Sequence, residues 1–184
     1  MYRMLSNLTA NALRGTSSRA CLAALALAAG MGFAGSAPAQ EAKEPTKLML
    51  SIDAASGVNP DTSLRPSPIK VRIYELKDAG TFSEADYFSL ETADKVTLAA
   101  DMLARDEFIL RPGETRNIER KSNAQTTAIG VLAGYRDLPN STWRVVHKLK
   151  EAPDASWMRM FLPSNRAELL IQLQPQGIAV TEKP

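Results

Sequence analysis

Alternation of apolar and polar side chains is clearest in two stretches. Leu48, Leu50, Ile52 and Ala54 alternate with Met49, Ser51 and Asp53, and Ile69, Val71 and Ile73 alternate with Lys70, Arg72 and Tyr74. Successive side chains of a strand point to opposite faces, so this pattern predicts half-buried strands over 48–54 and 69–76. The stretch 55–68 between them breaks the pattern. It holds Gly57, Pro60, Pro66 and Pro68, which bar both a helix and a ladder strand. It is also far longer than the two to five residues of an ordinary hairpin turn. Prolines narrow its freedom, and long loops on compact domains commonly carry function. The loop is therefore read as a recognition element that the rest of the chain holds in place.

Beyond 76 the periodicity changes. Ser83 reads as a helix N-cap, with Glu84 and Asp86 in the first turn and Phe82, Ala85, Phe88 and Leu90 on the apolar side. Thr92 or Asp94 reads as the cap of a second helix carrying Val96, Ala99, Met102 and Leu103. A helical insertion at about 82–104 follows, covering one end or face of a sheet. Strand signals then resume at 107–110, and Arg111-Pro112-Gly113-Glu114 fits a type II turn. The polar stretch 115–121 suits an edge strand. In 127–135 one face is small, with Ala128, Gly130 and Gly134, which lets a helix pack closely. Further strands are expected at 143–149, around Leu169, Ile171 and Leu173, and at 178–180. This succession predicts a mainly β protein, an antiparallel β-sandwich with a short two-helix insertion.

Charge alters the picture at one end only. The formal net charge is +2, but the first 39 residues hold Arg3, Arg14 and Arg19 and no acid, which leaves the remainder with 19 bases against 20 acids. Such a body carries no electrostatic footprint for nucleic acid. Residues 1–39 read as a cleaved signal peptide: a basic start, an apolar run over 21–34, and small residues at Ala37-Pro38-Ala39 before Gln40. The run is too short and weak for a membrane span of about 20 residues. Cys21 precedes the apolar run instead of following it, so it stands outside a lipobox. It is expected to leave with the leader, so that no lipidation site, disulfide or thiol remains. Residues 40–47 read as a flexible tether.

Candidate chemistry is sparse. His147, the lone histidine, shares a strand face with Trp143, Val145 and Leu149 and reads as a core residue. With one histidine and no remaining cysteine, no zinc or copper site can be assembled. Neither a Gly-x-Ser-x-Gly elbow nor a phosphate-binding glycine loop is present. Asp101, Asp106 and Glu107 could hold calcium or serve a hydrolase; pairing with Arg105 and Arg111 accounts for them as well. No cofactor is expected. Tyr135-Arg136-Asp137 reads as a structural strand end, and Asn140-Ser141-Thr142 as a turn.

Several blocks, taken in order, resemble the TssJ family, the outer-membrane lipoproteins of type VI secretion systems. They are Ala55-Ser56-Gly57-Val58-Asn59-Pro60-Asp61, Arg65-Pro66-Ser67-Pro68, Val71-Arg72-Ile73-Tyr74-Glu75-Leu76, and Phe82 with Ala85-Asp86-Tyr87-Phe88. Asp106-Glu107-Phe108, Leu110-Arg111-Pro112-Gly113-Glu114, Ile129-Gly130-Val131-Leu132-Ala133, Tyr135-Arg136-Asp137 and Trp143-Arg144 continue the series. The resemblance covers about 47–150 and implies a transthyretin-like sandwich over 48–184. It further implies a non-enzymatic role beside the outer membrane, binding the periplasmic part of TssM, which joins TssL in a TssL–TssM–TssJ complex. It places the TssM contact in the loop between the first two strands: Ser56, Gly57, Val58, Asn59, Pro60, Asp61, Leu64, Arg65 and Pro66. The cysteine that family members acylate after the signal is missing, so the product is expected to be periplasmic and non-lipidated. Val58 and Leu64 have no evident core partner and are expected either to anchor the partner or to fold back on the sandwich. Arg65 is expected to pair with a partner carboxylate. The competing reading is a small-ligand carrier with a pocket lined by Tyr135, Trp143 and Trp157.

Overall fold

The strict alternation of residues 47–54 becomes the innermost strand of one sheet. In the computed structural model, which describes residues 43–151 and 165–183, β1 (Lys47–Ala54) buries every second side chain without a break. It lies between β4 (Thr115–Lys121) and β7 (Arg166–Gln174), and β8 (Gly177–Glu182) completes a sheet of order β4-β1-β7-β8. The second sheet has the order β3-β2-β5-β6, formed by β2 (Ile69–Leu76), β3 (Met102–Leu110), β5 (Ala128–Ala133) and β6 (Arg144–Lys148). Every pairing is antiparallel except β1 with β7, which is parallel. The sandwich expected from the strand pattern is therefore present, with one parallel seam that alternation alone does not reveal. Residues 1–39, read from the sequence as a signal peptide, and Trp157 lie outside the described residues.

Two cores follow from the two faces of β2. Ile69, Val71 and Ile73 point between the sheets, where they meet Leu48, Leu50 and Ile52 of β1, Ile129 and Val131 of β5, and Leu169, Ile171 and Leu173 of β7. Tyr74 and Leu76 point the other way, and with Ala128 and Leu132 of β5 they pack under Phe82, Leu90 and Leu98 of the helical insertion. Fully burying such a side chain contributes about 1.5–3 kcal/mol. Apolar residues on the outer face of β2 and β5 thus make a helical cover necessary, and the insertion supplies it.

That insertion runs from α1 (Gly80–Glu84) through α2 (Tyr87–Leu98) to a 3-10 turn at Ala99–Asp101. It differs from the expectation of about 82–104 in several respects. The cap of α2 is Asp86, whose carboxylate accepts the Ser89 amide, whereas Ser83 lies inside α1. Phe88 and Val96 are exposed, and Leu98 is the buried residue in their place. Met102 and Leu103, which continue the helical spacing in sequence, open β3 instead. Ala99, at φ 43, stops the helix, and Met102 then pairs with Leu76 across a register shift. Within the stretch 40–47 that the sequence reads as a tether, Thr46 is buried, its amide donates to Ser122 Oγ at 3.0 Å, and Lys47 already belongs to β1.

The small face of β5 packs as its composition implies. A Cβ at Gly130 would stand 2.9 Å from the Phe82 ring and 3.0 Å from Leu76, and both side chains are fully buried. Gly130→Val should destabilise the protein by about 1–3 kcal/mol through overpacking, read as a lower midpoint in chemical denaturation with an unchanged m-value.

Candidate partner-binding site

The loop 55–68 has a braced base and a protruding tip. At the base, the Ala55 amide donates to Leu173 O at 2.9 Å and Val58 N to Ala55 O at 3.0 Å. Val58 is fully buried in the core between the sheets. Asn59 follows at φ 49, a left-handed conformation that asparagine tolerates. Its side chain is spent inside the molecule: Nδ2 donates to Pro68 O at 2.9 Å, and Oδ1 accepts the Arg136 amide at 2.8 Å. Ser67 N to Val58 O, at 3.1 Å, cinches the two ends together.

Asp61 organises the tip. Its Oδ1 accepts the amides of Ser63 at 2.8 Å and Arg65 at 3.0 Å, while Oδ2 accepts Arg65 Nε at 2.8 Å. Backbone bonds from Leu64 N to Asp61 O and from Asp61 N to Arg65 O, both 2.9 Å, close the turn. The Arg65 amide, then the Arg65 guanidinium and Ser63 amide, hold the Asp61 carboxyl below its usual range against a smaller opposing effect of burial. Leu64 is left at φ 60 and 81% exposed. Beside the tip is an open groove of about 500 Å3, bounded by Pro60 and Leu64, by Tyr135 and Arg136, and by Pro175 and Gln176. The Tyr135 hydroxyl fixes its floor by donating to the Gln174 and Gly177 carbonyls, 3.0 and 2.7 Å away.

The nine residues nominated from the sequence therefore divide. Ser56, Leu64, Arg65 and Pro66 are exposed, and Gly57, Pro60 and Asp61 are half-buried. Val58 and Asn59 are buried and hold the fold, so of the two expectations for Val58 the structure shows folding back on the sandwich and not an outward anchor. Arg65 is engaged by Asp61 within its own loop, so its guanidinium is not awaiting a carboxylate. Arg136, Pro175 and Gln176 were missed. They lie after β5 and β7, and only the strand topology brings them beside the 55–68 loop.

The other chemical candidates do not converge. Asp106 binds Arg120 of β4, Glu107 binds Arg72, and Asp101 accepts the Thr81 hydroxyl at 2.9 Å. Arg105 pairs with Asp94 at 2.6 Å, so the partners expected for the acidic cluster are replaced by others. Among the described residues no group of three His, Cys, Asp or Glu side chains is placed to hold a metal, and no helix is long and apolar enough to cross a membrane. His147 Nε2 lies 3.6 Å from Glu182 Oε2 across β6 and β8, beyond hydrogen-bond distance. Trp143 packs edge-on against Tyr87 at 5.4 Å and does not line the groove that Tyr135 floors, so those two do not form the expected ligand pocket.

Fold and site together define a two-sheet β-sandwich with a helical cover and a braced loop at one pole. The family model described as "Type VI secretion lipoprotein, VasD, EvfM, TssJ" matches residues 46–176, and the chain belongs to that family. Its members are structural, outer-membrane-associated lipoproteins of the secretion apparatus, which supports export of the chain. Among solved structures, the T6SS lipoprotein TssJ1 from Pseudomonas aeruginosa is 37% identical, with a TM-score of 0.67 over 77% of this chain and 98% of that one. Serratia marcescens Lip, a membrane-bound component of the type VI secretion system, is 29% identical, with a TM-score of 0.66 over 77% and 99%. A chain of a structure described as "Type VI membrane complex" is 28% identical, with a TM-score of 0.60 over 77% and 100%. No curated protein matches the sequence.

The polar cluster under α2 gives the fold a pH dependence. Burial pushes the Asp94 carboxyl up, but the Arg105 guanidinium and the Tyr74 hydroxyl outweigh it and hold it below the usual value of 3.8. Arg72 holds Glu107 below 4.5. Because both groups are depressed when folded, the unfolded chain binds more protons in acid. The stabilisation is fully present above the unfolded values and is lost as pH falls through the lower, folded ones. Denaturation midpoints measured from pH 6 to pH 3 should fall below about pH 4.5, and Asp94→Asn should flatten that fall while lowering the midpoint at pH 7.

Proposed function

We propose that the protein is a non-catalytic structural component of the type VI secretion membrane complex, binding the periplasmic domain of TssM through the loop between β1 and β2. The observation that carries this reading is the construction of the loop itself. Its base is locked by Val58 and Asn59, and its tip holds Leu64 out to solvent. A binding element ordered before it meets its partner loses little conformational freedom on association.

Two of the similar structures support the choice of partner. One is described as the type VI membrane complex. The other is described as "T6SS protein TssM C-terminal domain (869-1107) from EAEC", and one of its chains is 28% identical, with a TM-score of 0.55 over 75% of this chain and 98% of that one. Those shares make the matched chain far shorter than the 869–1107 stretch, which supports its being a TssJ-like protein in a structure described by TssM. The loop stands at the far end of β1 from Lys47, about 25 Å away over the eight residues of the strand.

Export is proposed to proceed by cleavage after Ala39, with Cys21 removed and no acyl chain on the product, which leaves the protein dependent on partners for its membrane position. Intact-mass measurement of the exported protein should give the mass of residues 40–184; a diacylglyceryl increment would overturn this part. For the contact, replacing 62–66 by a Gly/Ser segment leaves Val58 and Asn59 in place and preserves the fold. Capture of the TssM C-terminal domain by the exported protein should be lost in that variant, and capture at the wild-type level would move the interface elsewhere.

A further inference from the structure

Leucine at position 64 is poorly suited to the free protein in two ways. It sits at φ 60, a backbone conformation that bulky L side chains rarely adopt, and it exposes 81% of its surface. Either a glycine or an asparagine would take the left-handed turn more easily, and either would expose less apolar area to water. A conformation disfavoured in the free chain, and enforced by several hydrogen bonds around it, points to a role at the bound state.

We infer that Leu64 is a preformed anchor for an apolar pocket on the partner, with the Arg136 guanidinium beside it placed to take a partner carboxylate. The inference rests on the reading of the loop as the partner-binding element and extends it to the chemistry of the surface that receives the loop. Asp61 is the positioning residue. Its carboxylate gathers the Ser63 and Arg65 amides and the Arg65 side chain, which turns the chain so that residue 64 points outward. That engagement also removes Arg65 from competition as the charged contact. Arg136 is different. Its amide is fixed by Asn59 Oδ1 at 2.8 Å, its side chain is exposed, and it makes no ion pair among the described residues. It lines the same groove as Leu64, so an apolar knob and an open guanidinium share one rim. The complementary surface is an apolar hollow flanked by Asp or Glu. Energetic hot spots have this form: a central group that becomes fully desolvated, with polar contacts around it.

The test measures binding of the exported full chain to the TssM C-terminal domain by titration calorimetry, alongside denaturation of each variant. Leu64→Ala and Leu64→Gly should each weaken binding at least tenfold, on the order of a hot-spot loss. Leu64→Gly should unfold at an equal or higher denaturant concentration, because glycine takes the left-handed turn without strain. That separates loss of an anchor from loss of fold. Asp61→Asn should retain most of the affinity, since the amide oxygen accepts the same backbone bonds, whereas Asp61→Ala should not. Arg136→Glu should weaken binding most at low salt. Binding of Leu64→Gly within twofold of wild type, while the 62–66 Gly/Ser segment abolishes it, overturns the anchor and leaves the loop reading intact. Wild-type affinity in both overturns the two together. Self-association of the isolated chain that Leu64→Ala removes would also overturn the inference, by making a second copy the occupant of the rim.

Discussion

A buried guanidinium sets the arrangement of the helical layer. Arg72 stands on β2 with only 6% of its surface exposed, facing α2 and not the sandwich interior. A charge taken out of water is tolerated only when it is paired and hydrogen-bonded, and here every element near it contributes. Glu107 of β3 binds Nε, and the carbonyls of Leu90 and Glu91 accept Nη1 at 2.7 and 2.9 Å. Just beyond those carbonyls α2 is broken at Ala93, at φ −138 and ψ 30. In an unbroken helix the Lys95 amide would bond to Glu91 O; here it donates to Asp94 Oδ1 at 2.8 Å. Asp94 in turn accepts Tyr74 at 3.1 Å and Arg105 at 2.6 Å. The kink, the buried charge and the strand–helix contact therefore stand or fall together. Removing one partner would leave another charge buried without compensation.

A comparable device closes the sandwich at its open side. Arg120 of β4 reaches across to Glu75 of β2 at 2.8 Å and also binds Asp106 of β3. Glu75 is 2% exposed and further accepts Asn123 N and the Thr126 hydroxyl. One edge of the first sheet is thereby fastened to the second by charge, where the apolar core thins out. Asp94, Asp106 and Glu107 are consumed in these clamps. Of the acidic side chains that invite a catalytic or calcium-binding reading in sequence, Asp106 and Glu107 pair with arginines and Asp101 accepts the Thr81 hydroxyl.

What the sequence made legible follows from how local each signal is. β1 and β2 were readable nearly to the residue because alternation is a property of neighbours, and Gly130 signalled a close helix contact because a missing side chain admits few other uses. Boundaries set by one backbone torsion were not readable. Met102 and Leu103 keep helical spacing after Leu98, and nothing in their identity reveals that Ala99 at φ 43 has ended the helix. Val96 was assigned inward by the same spacing, which the kink at Ala93 invalidates for the second half of the helix, and Phe88 by a helix phased from Ser83, whereas α2 starts after Asp86. The parallel seam between β1 and β7 is likewise invisible, since burial alternates identically in either direction of pairing. In the loop, the absence of periodicity hid the fact that Val58 turns into the core, while Asp61 and Arg65, four apart, satisfy each other.

The division of labour within 55–68 follows from these contacts. A loop that must meet another protein faces a conflict: side chains turned outward for the partner are unavailable to hold the loop, and a loop held by nothing loses conformational freedom on binding. This chain separates the two tasks along the sequence. Val58 and Asn59 tie the base to the core and to the 135–136 strand end, and Asp61 ties the tip together through Ser63 and Arg65. The cost is confined to two torsions at positive φ, those of Asn59 and Leu64. Asparagine bears it easily, whereas Leu64 bears it while 81% exposed. Strain and apolar exposure therefore coincide at Leu64, which the Asp61 hydrogen bonds hold at the tip of the loop.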